Sequence, residues 1–194
     1  MRGYVFVRYH SGDGAGHVGW AFDLPDGRAA CGSVENHSGH LLTPAPQMGF
    51  WQRQTYGFLD EFAKRGYNDV CVFEVDGGAY VDALRVVKWI ESSAYQAIAR
   101  NCEDDVYDVL RTFGIDGLEA PFFNWFPRFW FRRLHGRKMS IDAYRAEAGL
   151  RSSPEPGPPV PENLTPLRPD WRKPFHQEFA LLNVAKVFRF RPSA

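Results

Sequence analysis

The tripeptide Asn101-Cys102-Glu103 contains the residue types that most directly suggest chemistry. Asn101 is a preferred N-cap residue and Asp104 completes a capping-box pattern, so a helix is predicted to begin at Cys102. Because the N-terminus of a helix carries about half a positive charge, this position favours a thiolate over a thiol. Apolar residues recur at helical spacing from Val106, which places the cysteine on the buried face. The pattern predicts a nucleophilic cysteine, although a lone cysteine is more often a core residue.

A cysteine nucleophile needs a base, and among the six histidines His17 is the best placed. It begins a predicted strand at residues 16–23, where two flanking glycines let a backbone or a substrate approach closely. The imidazole would take the thiol proton and later protonate the leaving group. Without the cysteine helix, His17 would more simply be a half-buried histidine of the sheet.

A third residue normally orients the imidazole through its other ring nitrogen. The turn Pro25-Asp26-Gly27 predicts a hairpin that returns along residues 28–35, beside the histidine strand. Glu35, near the end of that strand, is our choice of acceptor, and Ser33 and Asn36 are the alternatives.

Strands and helices predicted from the residue pattern would bring these side chains together. Residues rich in β-favouring types predict further strands at 4–9 and 69–75, and helical spacing predicts helices at 50–64 and 79–92. The cysteine helix, which is expected to end at Gly114, would then pack on a sheet that carries the base.

Together these residues resemble the circularly permuted NlpC/P60 group of papain-like thiol enzymes, which includes lecithin:retinol acyltransferase and related small phospholipase/acyltransferases. The run Gly16-His17-Val18-Gly19-Trp20-Ala21-Phe22 is similar to the family's histidine strand, and Tyr95 precedes Asn101-Cys102-Glu103 in the family's register. The resemblance covers about residues 4–114. It implies an α+β, papain-like fold in which an antiparallel sheet packs on helices, with the cysteine at a helix N-terminus.

The resemblance also implies roles for residues of this chain. Cys102 would be the nucleophile and His17 the base, and Tyr95 would line the substrate site as the family's tyrosine does. Further candidates for substrate binding are Asn101, Trp20 and Ser33.

The chain departs from the lipid-processing members of that group at two places. They continue with His-Phe where this chain has Asp104-Asp105, and they carry a second histidine near the position of Cys31. A peptide or isopeptide amide is therefore favoured over a lipid ester. We expect a cysteine-dependent hydrolase or acyltransferase that forms a thioacyl intermediate on a peptide, acyl or lipid-like substrate.

Residues 121–194 are expected to form an extension that packs on a catalytic core of residues 1–120. Residues 122–138 interleave aromatic and basic side chains, which resembles a membrane-surface helix or a rim for an anionic or lipid substrate. Aromatics that cap the core are the preferred interpretation, and Pro127, which breaks any continuous helix, disfavours the membrane one. Residues 152–174 are proline-rich, which disfavours helix and interior strand, and residues 179–190 are predicted to rejoin the sheet. The alternative function is a non-enzymatic papain-like binding module that uses this C-terminal region.

Composition limits the classes of function. The chain has 194 residues, 44% of them apolar, and its 23 basic and 23 acidic residues balance, which argues against a nucleic-acid binder. Three scattered cysteines fit neither a disulfide framework nor a zinc site, which favours a reduced, cytoplasmic setting. The sequence contains no recognisable metal or cofactor motif. No apolar stretch approaches the roughly 20 residues of a membrane span, and no signal peptide is recognisable. Export by a route without a cleavable signal, and the oligomeric state, stay open.

Overall fold

An antiparallel sheet is the frame of the molecule. The computed structural model describes residues 1–11, 14–34, 49–93, 101–121, 126–148 and 157–169. Across these ranges the strands are β1 (Arg2–Arg8), β2 (His17–Asp23), β3 (Ala29–Val34), β4 (Phe50–Thr55), β5 (Asp69–Glu74) and β6 (Arg137–Ser140), and the helices are α1 (Phe58–Lys64), α2 (Tyr80–Glu91), α3 (Cys102–Phe113), α4 (Pro127–Arg133) and α5 (Ile141–Ala148). The strand order is β4-β3-β2-β1-β5-β6, and every neighbouring pair is antiparallel. The α+β architecture with an antiparallel sheet is confirmed.

Both faces of the sheet are buried because its central strands alternate two sets of apolar side chains. Val5 and Val7 of β1 face the core formed with α2, α3 and α4, whereas Tyr4 and Phe6 face the core formed with α1 and α5. On the latter face, Phe62 of α1 stacks on Phe6 with the ring centroids 3.7 Å apart. Double burial explains why β1, β2 and β3 are apolar at most positions.

Helix α3 lies over β2 and against α2. It begins at Cys102, as predicted, and Gly114 ends it with a positive φ of 114°. The buried face predicted from helical spacing is confirmed, since Cys102 and the apolar residues Val106, Val109, Leu110 and Phe113 are all buried. The helix therefore brings its first residue to the face of β2.

The prediction of one helix at residues 50–64 is wrong in its first half. Residues 50–55 form β4, which pairs with β3, and only Phe58–Lys64 is helical. β4 covers the edge that β3 would otherwise leave unpaired, and this tertiary pairing outweighs the local helical spacing. Gly57 lies between the two elements at the N-cap of α1.

The described part of the C-terminal region adds to the sheet and to both cores. β6 pairs with β5, and α4 contacts β1 and β2. Residues 157–169 contain neither helix nor strand, and the Leu167 N–H donates to the Arg85 carbonyl at 3.0 Å. The strand predicted at residues 179–190 lies outside the described residues. Among the helices in the described ranges, none has the length and apolar character to cross a membrane.

Gly19 in β2 is a point of very close contact between α1 and the sheet. A Cβ at this position would lie 2.6 Å from Cε1 of Phe62 and 3.2 Å from the Tyr67 hydroxyl. We expect Gly19→Ala to lower the free energy of unfolding by about 1–3 kcal/mol through overpacking, as measured by urea denaturation. Adding Phe62→Leu should recover part of that loss, because the shorter side chain makes room. If the double variant loses more unfolding free energy than the two single variants lose together, the clash is refuted.

Candidate active site

A complete capping box fixes the first turn of α3. The Asn101 side-chain oxygen accepts hydrogen bonds from the Glu103 N–H at 2.8 Å and the Asp104 N–H at 3.3 Å. In return, the Asp104 carboxylate accepts from the Asn101 N–H at 3.0 Å. These bonds satisfy the amides of Glu103 and Asp104 and hold Cys102 at the first helical position. Asn101 therefore acts as a cap.

The Cys102 thiol is buried, with 4% of the residue exposed. Burial raises the pKa of the thiol well above its ordinary value, and the neighbouring Glu103 carboxyl raises it further. The backbone N–H of Val18 beside the thiol acts in the opposite direction. Burial and the acidic first turn outweigh the positive end of the helix, so in this conformation Cys102 is a neutral thiol at neutral pH.

His17 and Ser33 form a hydrogen-bonded pair, with the ring Nε2 2.8 Å from the Ser33 hydroxyl. Ser33 donates its single hydroxyl proton to the Val18 carbonyl at 3.0 Å. It must therefore accept from His17, which places the proton of the neutral ring on Nε2 and the lone pair on Nδ1. On a neutral ring, Nδ1 is then the nitrogen that can accept a proton.

Val18 connects the thiol with the imidazole pair, because its N–H lies beside Cys102 and its C=O accepts from Ser33. Strand alternation points the His17 side chain to the face opposite Val18, and the His17 ring centroid lies 5.9 Å from that of Tyr67. The described contacts thus unite His17 with Ser33 and Tyr67, and Cys102 with Val18. None of them joins the ring to the thiol.

Glu103 is a buried acid that the sequence interpretation treated only as part of the tripeptide. The residue is 0% exposed, and neither carboxyl oxygen has a hydrogen-bond partner within the described part of the chain. Burial raises its pKa to about 9, with a further contribution from Asp104. Glu103 is therefore protonated at neutral pH. Helical spacing could have indicated this burial, since Glu103 precedes the core residue Leu110 by two turns.

The remaining candidates fall into two groups. Trp20 is a core residue that stacks on Phe22 with the ring centroids 5.8 Å apart. Glu35, Asn36 and Tyr95 lie outside the described residues. The roles of Glu35 as the orienting acceptor and of Tyr95 as a lining residue therefore stay predictions. In the part of the chain that is described, no three His, Cys, Asp or Glu side chains are grouped to hold a metal.

The raised pKa of Glu103 predicts a pH-dependent stability. The folded protein holds this proton with a pKa of about 9, against an ordinary value of 4.5. Folding stability should therefore fall as the pH rises through this window, by about 1.4 kcal/mol per pH unit from this group alone. We expect Glu103→Gln to remove that slope, measured by urea unfolding at several pH values between about 5 and 8.

The matched control is Glu162→Gln, which removes a carboxylate from an exposed position. This variant should keep the slope of the wild-type protein. An identical pH dependence in Glu103→Gln and the wild type would show that Glu103 is ionised in the folded state, contrary to this assignment.

Comparison with known proteins assigns no relative to this chain. No family model, no curated protein and no solved structure matches it. The resemblance to permuted NlpC/P60 enzymes therefore depends on the chain's own residues.

Proposed function

We propose that this protein is a cysteine-dependent hydrolase or acyltransferase with a papain-like site, acting on an amide or ester through Cys102 and His17. Peptide and isopeptide amides are the favoured substrates. The observation that supports the proposal is the Val18 backbone, which lies beside a thiol at a capped helix start and accepts from the serine that orients an imidazole. A nucleophile, a base and an orienting residue are the parts of this chemistry.

The reaction follows from the proton positions. The sulfur of Cys102 attacks the carbonyl carbon while Nδ1 of His17 accepts the thiol proton, and the proton then passes to the leaving amine or alcohol. The resulting thioester is cleaved by water in a hydrolase or by an acceptor nucleophile in a transferase, with His17 again as the base. The proposal requires the Ser33 hydroxyl, which is bonded to Nε2 in the described conformation, to follow the ring and stabilise the imidazolium that forms in each step.

The first turn of α3 offers a donor for the oxyanion of the tetrahedral intermediate. Asn101 accepts from the N–H groups of Glu103 and Asp104, and the N–H of Cys102 has no acceptor among the described hydrogen bonds. An amide at a helix start that is not used by the cap can stabilise the negative charge that develops on a carbonyl oxygen when the adjacent sulfur attacks the carbonyl carbon.

The mechanism requires the His17 ring to reach the sulfur, a contact that the described conformation lacks. His17 is the first residue of β2, and Gly14 and Gly16 before it have positive φ values of 84° and 87°. Glycines in this region give the backbone freedom that other residues lack. The proposal therefore includes a rearrangement at the start of β2 that turns the ring towards Cys102.

A non-enzymatic binding module is the second candidate. The observations that favour it are the neutral, buried thiol and the position of the His17 ring against Tyr67. On this proposal Cys102 is a core residue and His17 a structural partner of Ser33.

Labelling with a peptidyl acyloxymethyl ketone, an electrophile that alkylates active-site thiols, tests the proposed function. We expect one adduct per chain on Cys102, measured by intact mass spectrometry and peptide mapping. His17→Ala should slow labelling by at least about tenfold, because the thiol loses its base. Cys31→Ala and Cys71→Ala are matched controls, since both cysteines are also buried with raised pKa values. Adducts on Cys31 or Cys71, or labelling unchanged by His17→Ala, would favour the binding module.

Ser33 is proposed as a positioning residue, because it contacts the His17 ring and not the thiol. Ser33→Ala removes the acceptor of the Nε2 proton and leaves that donor unpaired. We expect the maximal labelling rate constant to fall by about tenfold, with little change in the probe concentration that gives half of that rate. A change confined to the half-saturating concentration would mean that Ser33 contacts the probe instead.

A further inference from the structure

Two phenylalanine side chains are exposed next to each other at the start of α4, Phe126 at its N-cap and Phe129 within it. Phe126 is 47% exposed and Phe129 is 40% exposed. Their rings pack edge to face, with the centroids 5.7 Å apart and the planes at 87°. Single exposed apolar residues are ordinary on a protein surface, whereas adjacent aromatic rings on one short helix indicate a surface that contacts something apolar.

Two arginines accompany these rings. The guanidinium carbon of Arg128 lies 4.7 Å from the Phe129 ring centroid, and that of Arg132 lies 5.8 Å from it. Neither arginine forms an ion pair within the described ranges, whereas Arg133 nearby pairs with Glu119 at 2.8 Å. Phe126, Arg128, Phe129 and Arg132 together form a surface, called here the α4 patch, that combines apolar rings with unneutralised positive charge.

The α4 patch adjoins the loop that leads into the candidate active site. The Arg128 N–H donates to the Ala15 carbonyl at 3.3 Å. A Cβ on Gly16 would lie 3.0 Å from the Arg128 backbone nitrogen. The patch is therefore packed directly against the residue that precedes His17, at the start of β2.

We propose that the α4 patch docks the protein on a membrane surface that contains anionic phospholipids. Aromatic rings partition into the boundary between headgroups and acyl chains, and arginines pair with lipid phosphates there. The formal net charge of the chain is zero, so attraction to an anionic surface has to come from a local cluster of this kind.

The arrangement of the rings favours a membrane over single-stranded nucleic acid. Both guanidinium groups lie over the Phe129 ring, which occupies the aromatic face on which a nucleobase would stack. An exposed phenylalanine inserts among lipid chains without needing a free ring face. This docking is independent of whether Cys102 is a nucleophile. It would nevertheless place the start of β2 close to acyl or peptide groups at the membrane.

Sedimentation of the 194-residue chain with vesicles tests this proposal. We expect binding to vesicles of equal parts phosphatidylcholine and phosphatidylglycerol, and much weaker binding to pure phosphatidylcholine. The double variant Phe126→Ala/Phe129→Ala should lower the partition coefficient by at least about tenfold, because two apolar contacts are lost. The matched control is Tyr56→Ala, which removes a ring that is 74% exposed and contacts Asp26, at the opposite end of β2. This control should bind as the wild-type protein does.

The charged half of the patch is tested separately. Arg132→Gln should weaken binding to the anionic vesicles by about fivefold, as expected for one arginine near such a surface. Arg53→Gln is its control, since Arg53 is an exposed arginine of the edge strand β4 with no ion pair in the described residues. Added salt should weaken wild-type binding more than that of Arg132→Gln.

Three results would overturn the proposal. The first is an absence of binding to both kinds of vesicle. The second is equal binding of vesicles by the wild type and the double phenylalanine variant. The third is that the protein does not bind vesicles but binds a single-stranded oligonucleotide or an acidic peptide, and that the double variant loses this binding. Far-ultraviolet circular dichroism and the thermal midpoint check that each variant is folded. The replaced rings are exposed, so folding should be preserved.

Discussion

Both polar groups of the Val18 backbone contribute to the candidate site, the N–H beside the Cys102 thiol and the C=O as acceptor of the Ser33 hydroxyl. The thiol, the hydroxyl and the imidazole are consequently positioned by one peptide segment in a central strand of the sheet. β2 is paired with β1 from its first residue, His17, and with β3 from Trp20 to Asp23. Because a strand held by two neighbours cannot shift as a whole without losing both ladders, the distances within the site are set by the sheet, with α3 added against its face.

The first turn of α3 combines two opposed electrostatic effects. Asp104 completes the capping box, and acidic groups at a helix start stabilise the helix. The same acidic turn disfavours a second negative charge on Cys102, where Glu103 and then Asp105 and Asp104 raise the thiol pKa. Protonation of Glu103 reduces this opposition at neutral pH, because a neutral carboxyl adds no charge beside the sulfur. The acidic first turn thus stabilises the helix and disfavours the thiolate, so Cys102 ionises only when a base accepts its thiol proton.

Much of this arrangement follows from local sequence rules. The Asn101 cap, the phase of α3, the Gly27 turn and the strand character of β2 are all determined by neighbours within a few residues, and all are found. β4 was missed because its pairing with β3 is a tertiary contact that helical spacing does not reveal. The burial of Glu103 was missed for a related reason, since acidic residues are expected at helix starts and only the packing around α3 excludes water from this one. Alternation could have shown which face the His17 ring takes.

The position of that ring limits how the site can become active. A register shift of β2 by one residue would turn His17 towards α3, but it would also turn Val18, Trp20 and Phe22 out of the core they share with the helix. Such a shift would expose several large side chains and is ruled out on energetic grounds. A β-bulge confined to His17 changes only the first residue of the strand. It disrupts the Arg8–His17 pairing at the end of the ladder and requires the His17–Ser33 hydrogen bond to re-form in the new position. The positive φ of Gly16 already lies next to that point. Activation, if it uses His17, therefore has to be local to the start of β2, the segment against which the α4 patch is packed.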